Sequence, residues 1–233
     1  LRLREAIELN RALLAERPGD TDAIDRLLVV ATQASEKALA RQVLDEVWPQ
    51  ALLRQNVAGS HLNYAHRNMD RARAADLALE LYRRWPDQPG VLYQIHRALL
   101  WDRRVEPAAT VLARWKALVG AEELWNAIPP ARQACAEGRR AEVEAALAAL
   151  PADDVPQRWH ILMLLGKSDE AAELLQPLER AGNTFALAGF LAYPQFDPTP
   201  FPSLMQVLRR ENVERPAAVP LPFACPPATE GAP

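Results

Sequence analysis

The chain has only two cysteines, nine glycines and three methionines in 233 residues, and aromatic residues make up 6% of it. No apolar run is long enough to span a bilayer, and no signal peptide opens the chain. Each scarcity excludes something. Cys135 and Cys225 are too few and too far apart for a disulfide framework or a metal site, and a single bridge between them is allowed but not required. A dominant charge is also missing: 27 Lys and Arg face 30 Asp and Glu, for a net charge of -3 and a pI near 5.9. Phosphate backbones are held by clustered Lys and Arg in strongly basic domains, so nucleic acid is not the expected ligand. The chain begins at Leu1 inside a helix pattern, without an initiator Met. The expectation is a piece of something longer, whose missing N-terminal part sets a cytoplasmic or a periplasmic location.

Catalytic groups are absent as well. Gly166-Lys167-Ser168 has the ending of a phosphate-binding loop, but the first glycine of such a loop would fall at Ile161, inside a helix pattern, so a hairpin turn with Ser168 as N-cap is expected. His61 and His66 are five residues apart and diverge on a helix, while His96 and His160 have no acidic or cysteine partner at ligand spacing. Ser35, Ser60, Ser168 and Ser203 lack a nucleophile-elbow context, and no carboxylate pair stands out. No enzyme, no cofactor and no metal is expected.

What the chain does have is a repeat. In the stretch Arg71 to Pro89, Ala74, Ala78 and Leu81 share one helix face and Pro86 stops the helix. The same triplet recurs as Ala6, Asn10, Leu13; Ala40, Leu44, Val47; Ala108, Leu112, Trp115; Ala141, Ala145, Ala148; and Ala171, Leu175, Leu178. Its first members advance by 34, 34, 34, 33 and 30 residues. Ala40, Ala74, Ala108, Ala141 and Ala171 should therefore be buried where helices approach closely. Gly138 and Gly166 separate helices, as hairpin turns require. Pro18-Gly19-Asp20 ends the first helix, Thr21 or Asp22 caps the second, and Ser35 caps the third. Trp48 and Trp85 precede prolines that end helices. In the fourth pair Pro129-Pro130 follows Trp125 by four residues and forces a kink or restart of that helix.

A period of about 34 residues, with a small residue opening a helix face and Pro or Gly closing the unit, resembles the tetratricopeptide repeat. The resemblance covers residues 1–183 and implies an all-α, right-handed α-solenoid of antiparallel helix pairs. Residues 184–212 supply C-terminal capping helices, and residues 213–233 form an extended proline-rich tail with Leu221 and Phe223 able to dock it. The helix 1–17 has no partner helix before it, so its face of Ile7, Leu9, Leu13 and Leu14 should favour self-association. The segments Leu191 to Pro202, Arg215-Pro216 and Pro222 to Cys225 are similar to the C-terminal end of repeat regions in bacterial multi-domain signalling proteins. There the repeats follow a winged-helix DNA-binding domain or a nucleotidyl cyclase domain.

Tetratricopeptide arrays line a concave groove with their first helices, which implies a non-catalytic scaffold binding a peptide or partner domain. Carrying the inward positions onto this sequence gives Asn63, His66, Arg67, Tyr93, Arg97 and Trp101, with Asp25, Val29 and Gln33 as equivalents in the first pair. The alternative for any of them is a solvated helix face. Residues 55–121 carry ten Arg and Lys against six Asp and Glu, a balance that suits an acidic or C-terminal-carboxylate peptide. Asn63 matches one member of the family's carboxylate clamp, but Gly59 stands where the clamp has lysine. The second functional class is the sensory or regulatory C-terminal region of a one-component transcriptional regulator or nucleotidyl cyclase, answering a small molecule.

Overall fold

The computed structural model describes residues 2–119 and 126–227, so Trp125 lies outside the described residues. These contain thirteen helices and no strand. In order they are α1 (Leu3–Glu16), α2 (Thr21–Gln33), α3 (Lys37–Ala51), α4 (Gln55–Asn68), α5 (Arg71–Arg84), α6 (Pro89–Trp101), α7 (Val105–Leu118), α8 (Ile128–Ala136), α9 (Arg140–Ala149), α10 (Val155–Leu164), α11 (Ser168–Arg180), α12 (Thr184–Phe190) and α13 (Pro202–Arg210). Each helix packs against the next, and α2, α4, α6, α8 and α10 also pack on one another in succession. The chain is thus an α-helical repeat array with an inner row of even-numbered helices.

Small residues make the close packing possible. Ala40, Ala74 and Ala108 are fully buried and Ala171 nearly so, at the positions where a longer side chain would push two helices apart. Ala141 departs from the expectation and is exposed. Helix α9 is alanine-rich on every side, and it turns Val143 inward instead, with Ala146, Leu147 and Leu150 partly buried. The repeat register is visible in hydrogen bonds between successive units: Trp85 Nε1 donates to the Ala51 carbonyl at 3.1 Å across 34 residues, and Arg54 to the Gly19 carbonyl at 3.0 Å across 35.

Helix ends differ locally from the expected caps. Asp20, not Thr21 or Asp22, caps α2, accepting from the N–H groups of Asp22 and Ala23. Ser35 adopts a left-handed φ of 59° and closes the C-terminal turn of α2, rather than capping α3. Ser168 is the first residue of α11, one place after its N-cap. Helix α3 runs through Pro49 to Ala51, forfeiting the backbone bond that an N–H at position 49 would donate one turn back. Pro129 and Pro130 fall in the first turn of α8, so the helix starts there rather than kinks.

The array closes on itself. Gln33, at the end of α2, donates to the Ala188 carbonyl in α12 at 3.0 Å. Arg4 in α1 donates to the carbonyls of Glu211 and Asn212, just beyond α13, at 2.8 and 3.1 Å. The expected bare face of the first helix is corrected accordingly: Leu3 and Ile7 are buried, Leu13 and Leu14 are half-buried, and only Leu9 of the four predicted residues is fully exposed. No helix among the described residues is long and apolar enough to cross a membrane.

Candidate functional site

The inner row delivers one side chain after another to the same interior. Asn63 and Arg97 are 34 residues apart, as are Arg67 and Trp101, and Arg132 follows Arg97 by 35. All of these lie on α4, α6 or α8. All six predicted residues meet there, but the surface they form is not an open groove. His66, Arg97 and Trp101 are buried, and Asn63, Arg67 and Tyr93 are half-buried. Of the first-pair equivalents, Gln33 is buried against α12, while Asp25 and Val29 are half-buried.

What covers them is the chain's own C-terminal segment. Trp159 on α10 anchors it, with the rings of Phe190, Tyr193 and Phe196 centred 4.9, 5.4 and 6.1 Å away. Beyond α13 the chain turns back: the Val219 N–H donates to the Pro194 carbonyl at 2.8 Å, and the Cys225 N–H to the Leu164 carbonyl at 2.8 Å. Phe223 packs edge-on against Trp101 at 5.8 Å. A disulfide joins Cys225 to Cys135 at the end of α8. The expectation of exposed guanidinium groups on a free concave surface is therefore corrected, because the tail desolvates them.

The electrostatics of this interior are lopsided. Arg97 donates to the Asn63 side chain, to the Gln94 side chain and to the Asn63 carbonyl at 3.3 Å. Arg67 lies over the rings of Tyr193 and Tyr64, at 4.7 and 5.5 Å. Arg132 donates to the Tyr93 hydroxyl at 3.1 Å and lies over its ring. None of the three meets a carboxylate among the described residues, and Arg67 Nε, Arg97 Nε and Arg132 Nη1 are enclosed without a hydrogen-bond partner. Burial first, then the charges of Arg67 and Arg132, push the Arg97 guanidinium well below its usual pKa. Arg67 is lowered by burial, with Arg132 adding to it. Burial followed by Arg97 and Arg67 keeps the His66 imidazole neutral, far below its ordinary value, so its Nδ1–H donates to the Leu62 carbonyl at 3.1 Å. For Tyr93 burial alone would raise the phenol, yet Arg132, Arg97 and Arg67 outweigh it and lower it.

Two cavities sit between the inner row and the tail. The outer, about 190 Å³, is lined by Thr32, Ser35, Lys37, His66, Arg67, Arg71, Trp101, Arg215 and apolar residues that include Met69 and Val219. The inner, about 20 Å³, is lined by His66, Arg97, Trp101, Arg132, His160, Gln195 and Phe223, among others. His66, Trp101 and Pro194 form the partition, since they line both. Neither lining contains a carboxylate. Sequence reasoning missed Arg132, although the 34-residue register pointed to it, because Pro129-Pro130 disguised the start of its helix. It also missed Arg215, which no periodic signal marks in the tail. Such an interior can recognise negative charge. No family model, no curated protein and no solved structure matches this chain.

Proposed function

We propose that the chain is a non-catalytic sensory or regulatory module, a tetratricopeptide-type array that takes a small ligand into its covered concave side. The observation that carries this reading is the cover itself. The groove expected to receive a partner peptide is covered by residues 191–195 and 215–225, tied down by the Cys135–Cys225 bridge, while a cavity of about 190 Å³ persists beneath. A volume of that size suits a small molecule and excludes a folded partner. The 34-residue spacing supports the tetratricopeptide assignment, and the similarity of the tail to the ends of bacterial signalling proteins supports a place in a one-component regulator or nucleotidyl cyclase. A disulfide persists in an oxidising compartment, which favours a sensory part outside the cytoplasm.

The competing reading is a peptide scaffold whose tail is an exchangeable occupant. A small-molecule panel and a library of acidic and proline-rich peptides, both followed by thermal unfolding and by tryptophan emission of the oxidised chain, separate the two. Saturable stabilisation by a small molecule, with no peptide binding, is the expected result. A peptide that binds and shifts the emission of Trp101 by displacing Phe223 would overturn the reading.

A further inference from the structure

We propose that the outer cavity binds a small dianion, a phosphate monoester or a dicarboxylate, held by Arg67 and Arg215 and admitted past Arg71 and Lys37. This rests on the reading of the cavity as a small-ligand site and adds the chemistry of the ligand.

The walls of the outer cavity carry positive charge and no carboxylate. Arg67, Arg71, Lys37 and Arg215 line the cavity with no carboxylate among its walls. Of the acidic residues adjacent to them in sequence, Glu36 lies 3.8 Å from Arg4, Asp70 caps α5 by accepting from the Arg73 N–H, and Glu214 is exposed and does not line the cavity. Across the partition Arg97 and Arg132 add two more cations. Tyr93, the one neighbouring group drawn toward ionisation, spends its oxygen on Arg132 and does not line the cavity. Guanidinium groups taken out of water normally find a carboxylate, because an isolated buried charge is strongly disfavoured. Here they find aromatic rings and amide oxygens instead.

Unused donors point the same way. The Nε–H groups of Arg67 and Arg215 are enclosed and have no acceptor, and both residues line the cavity. Those Nε atoms have almost no accessible surface, so the terminal N–H groups are the donors left to meet a ligand, and a guanidinium's two terminal nitrogens match two oxygens of one phosphate or carboxylate. Several such donors around one space favour a doubly charged group over a single carboxylate. Arg71, which lies over the Trp101 ring at 5.1 Å, and the exposed Lys37 give the mouth an attractive field. Met69, Trp101 and Val219 supply apolar wall for the carbon body of the ligand. A polyanion such as nucleic acid does not fit a space of about 190 Å³ covered by the tail.

The test uses the intact, disulfide-bonded chain and follows thermal unfolding with inorganic phosphate and with malonate, each against chloride at equal ionic strength. A panel of neutral and cationic small molecules is run in parallel. The expected result is a saturable rise in Tm with phosphate or malonate, whichever of the two is tighter identifying the head group. Arg67→Gln and Arg215→Gln should each weaken that affinity at least tenfold, by the loss of one charge-assisted pair. Arg215 lies in the extended tail, so its variant carries the test if Arg67→Gln fails to fold. Effects of both anions no greater than that of chloride, or an effect undiminished by Arg215→Gln, would overturn the proposal. If a neutral or cationic compound stabilises saturably and the dianions do not, the ligand chemistry is wrong while the small-ligand reading stands. If no compound of any class stabilises, both fail.

Discussion

Reducing the Cys135–Cys225 bridge should release the cover of the concave side, and the size of the effect follows from the length of the loop it closes. The cysteines are 90 residues apart, for which the loop-closure relation gives about 15 cal/mol/K, or roughly 4.6 kcal/mol at 25 °C. Engineered and native bridges commonly deliver less than this, so a loss of about 2 to 5 kcal/mol is expected. For a chain of this size each kcal/mol lowers Tm by about 2 to 4 °C, which sets the expected drop at roughly 4 to 20 °C. The loss is not uniform over the molecule. Residues 221–225 lose their anchor, so Phe223 leaves the Trp101 ring and the Cys225 N–H leaves the Leu164 carbonyl. Helices α2 to α7 keep their packing. Circular dichroism melts with and without reductant measure the first effect, and a red shift of tryptophan emission measures the second. The Cys225→Ser variant should reproduce both under oxidising conditions and respond no further to reductant. A reduced protein that melts within about 2 °C of the oxidised one, with unchanged emission, would show that the tail is held by packing alone and would refute the entropic argument.

Acid should destabilise the fold well above the carboxylate range. Burial, ahead of every other influence, lowers the imidazole of His61 to about 4 and that of His96 to about 3, and it also holds His66 well below its ordinary value. Unfolded imidazoles take up protons near 6.5, so stability is intact above that pH and falls as the pH drops toward 4. His61 alone accounts for a loss of about 3 kcal/mol at pH 4; helical ellipticity unchanged at pH 4 would contradict this. Ala74→Leu inserts three carbons at a fully buried position between α5 and its neighbours, and should cost about 1 to 3 kcal/mol in urea unfolding, with no loss expected only if Ala74 faced solvent. Arg97→Met removes one of three mutually repelling cations while keeping most of the side-chain volume, so Tm in phosphate-free buffer should rise; a fall would mean that the bonds to Asn63 and Gln94 outweigh the repulsion.

The array was legible because its determinants are local and repeated. An alanine every 34 residues, a proline or glycine after each pair and apolar residues at helical spacing placed α2 to α7 closely. The same register put Asn63 with Arg97, and Arg67 with Trp101, on one interior surface. It failed in α9, where alanine is so frequent that Ala141, Ala145 and Ala148 form as good a triplet as the residues that bury, and only packing against α8 and α10 selects Val143. It failed again at Arg132, whose helix begins at prolines that read as an interruption.

What the concave face meets was decided by tertiary structure alone. The contacts that cover it join residues far apart in the chain: Gln33 with Ala188, Arg4 with Asn212, Trp101 with Phe223, Cys135 with Cys225. Proline-rich segments have no hydrogen-bonded period of their own, so nothing in residues 211–225 records which surface they will lie on. The pattern of Arg67, Arg97 and Trp101 reads the same whether water or a tail stands over it. The difference is the path of the last helices, which brings α12 back beside α2 and turns an exposed row of arginines into a buried one. Burial is a property of what lies opposite, and for this face the opposite wall is 90 residues or more away along the chain.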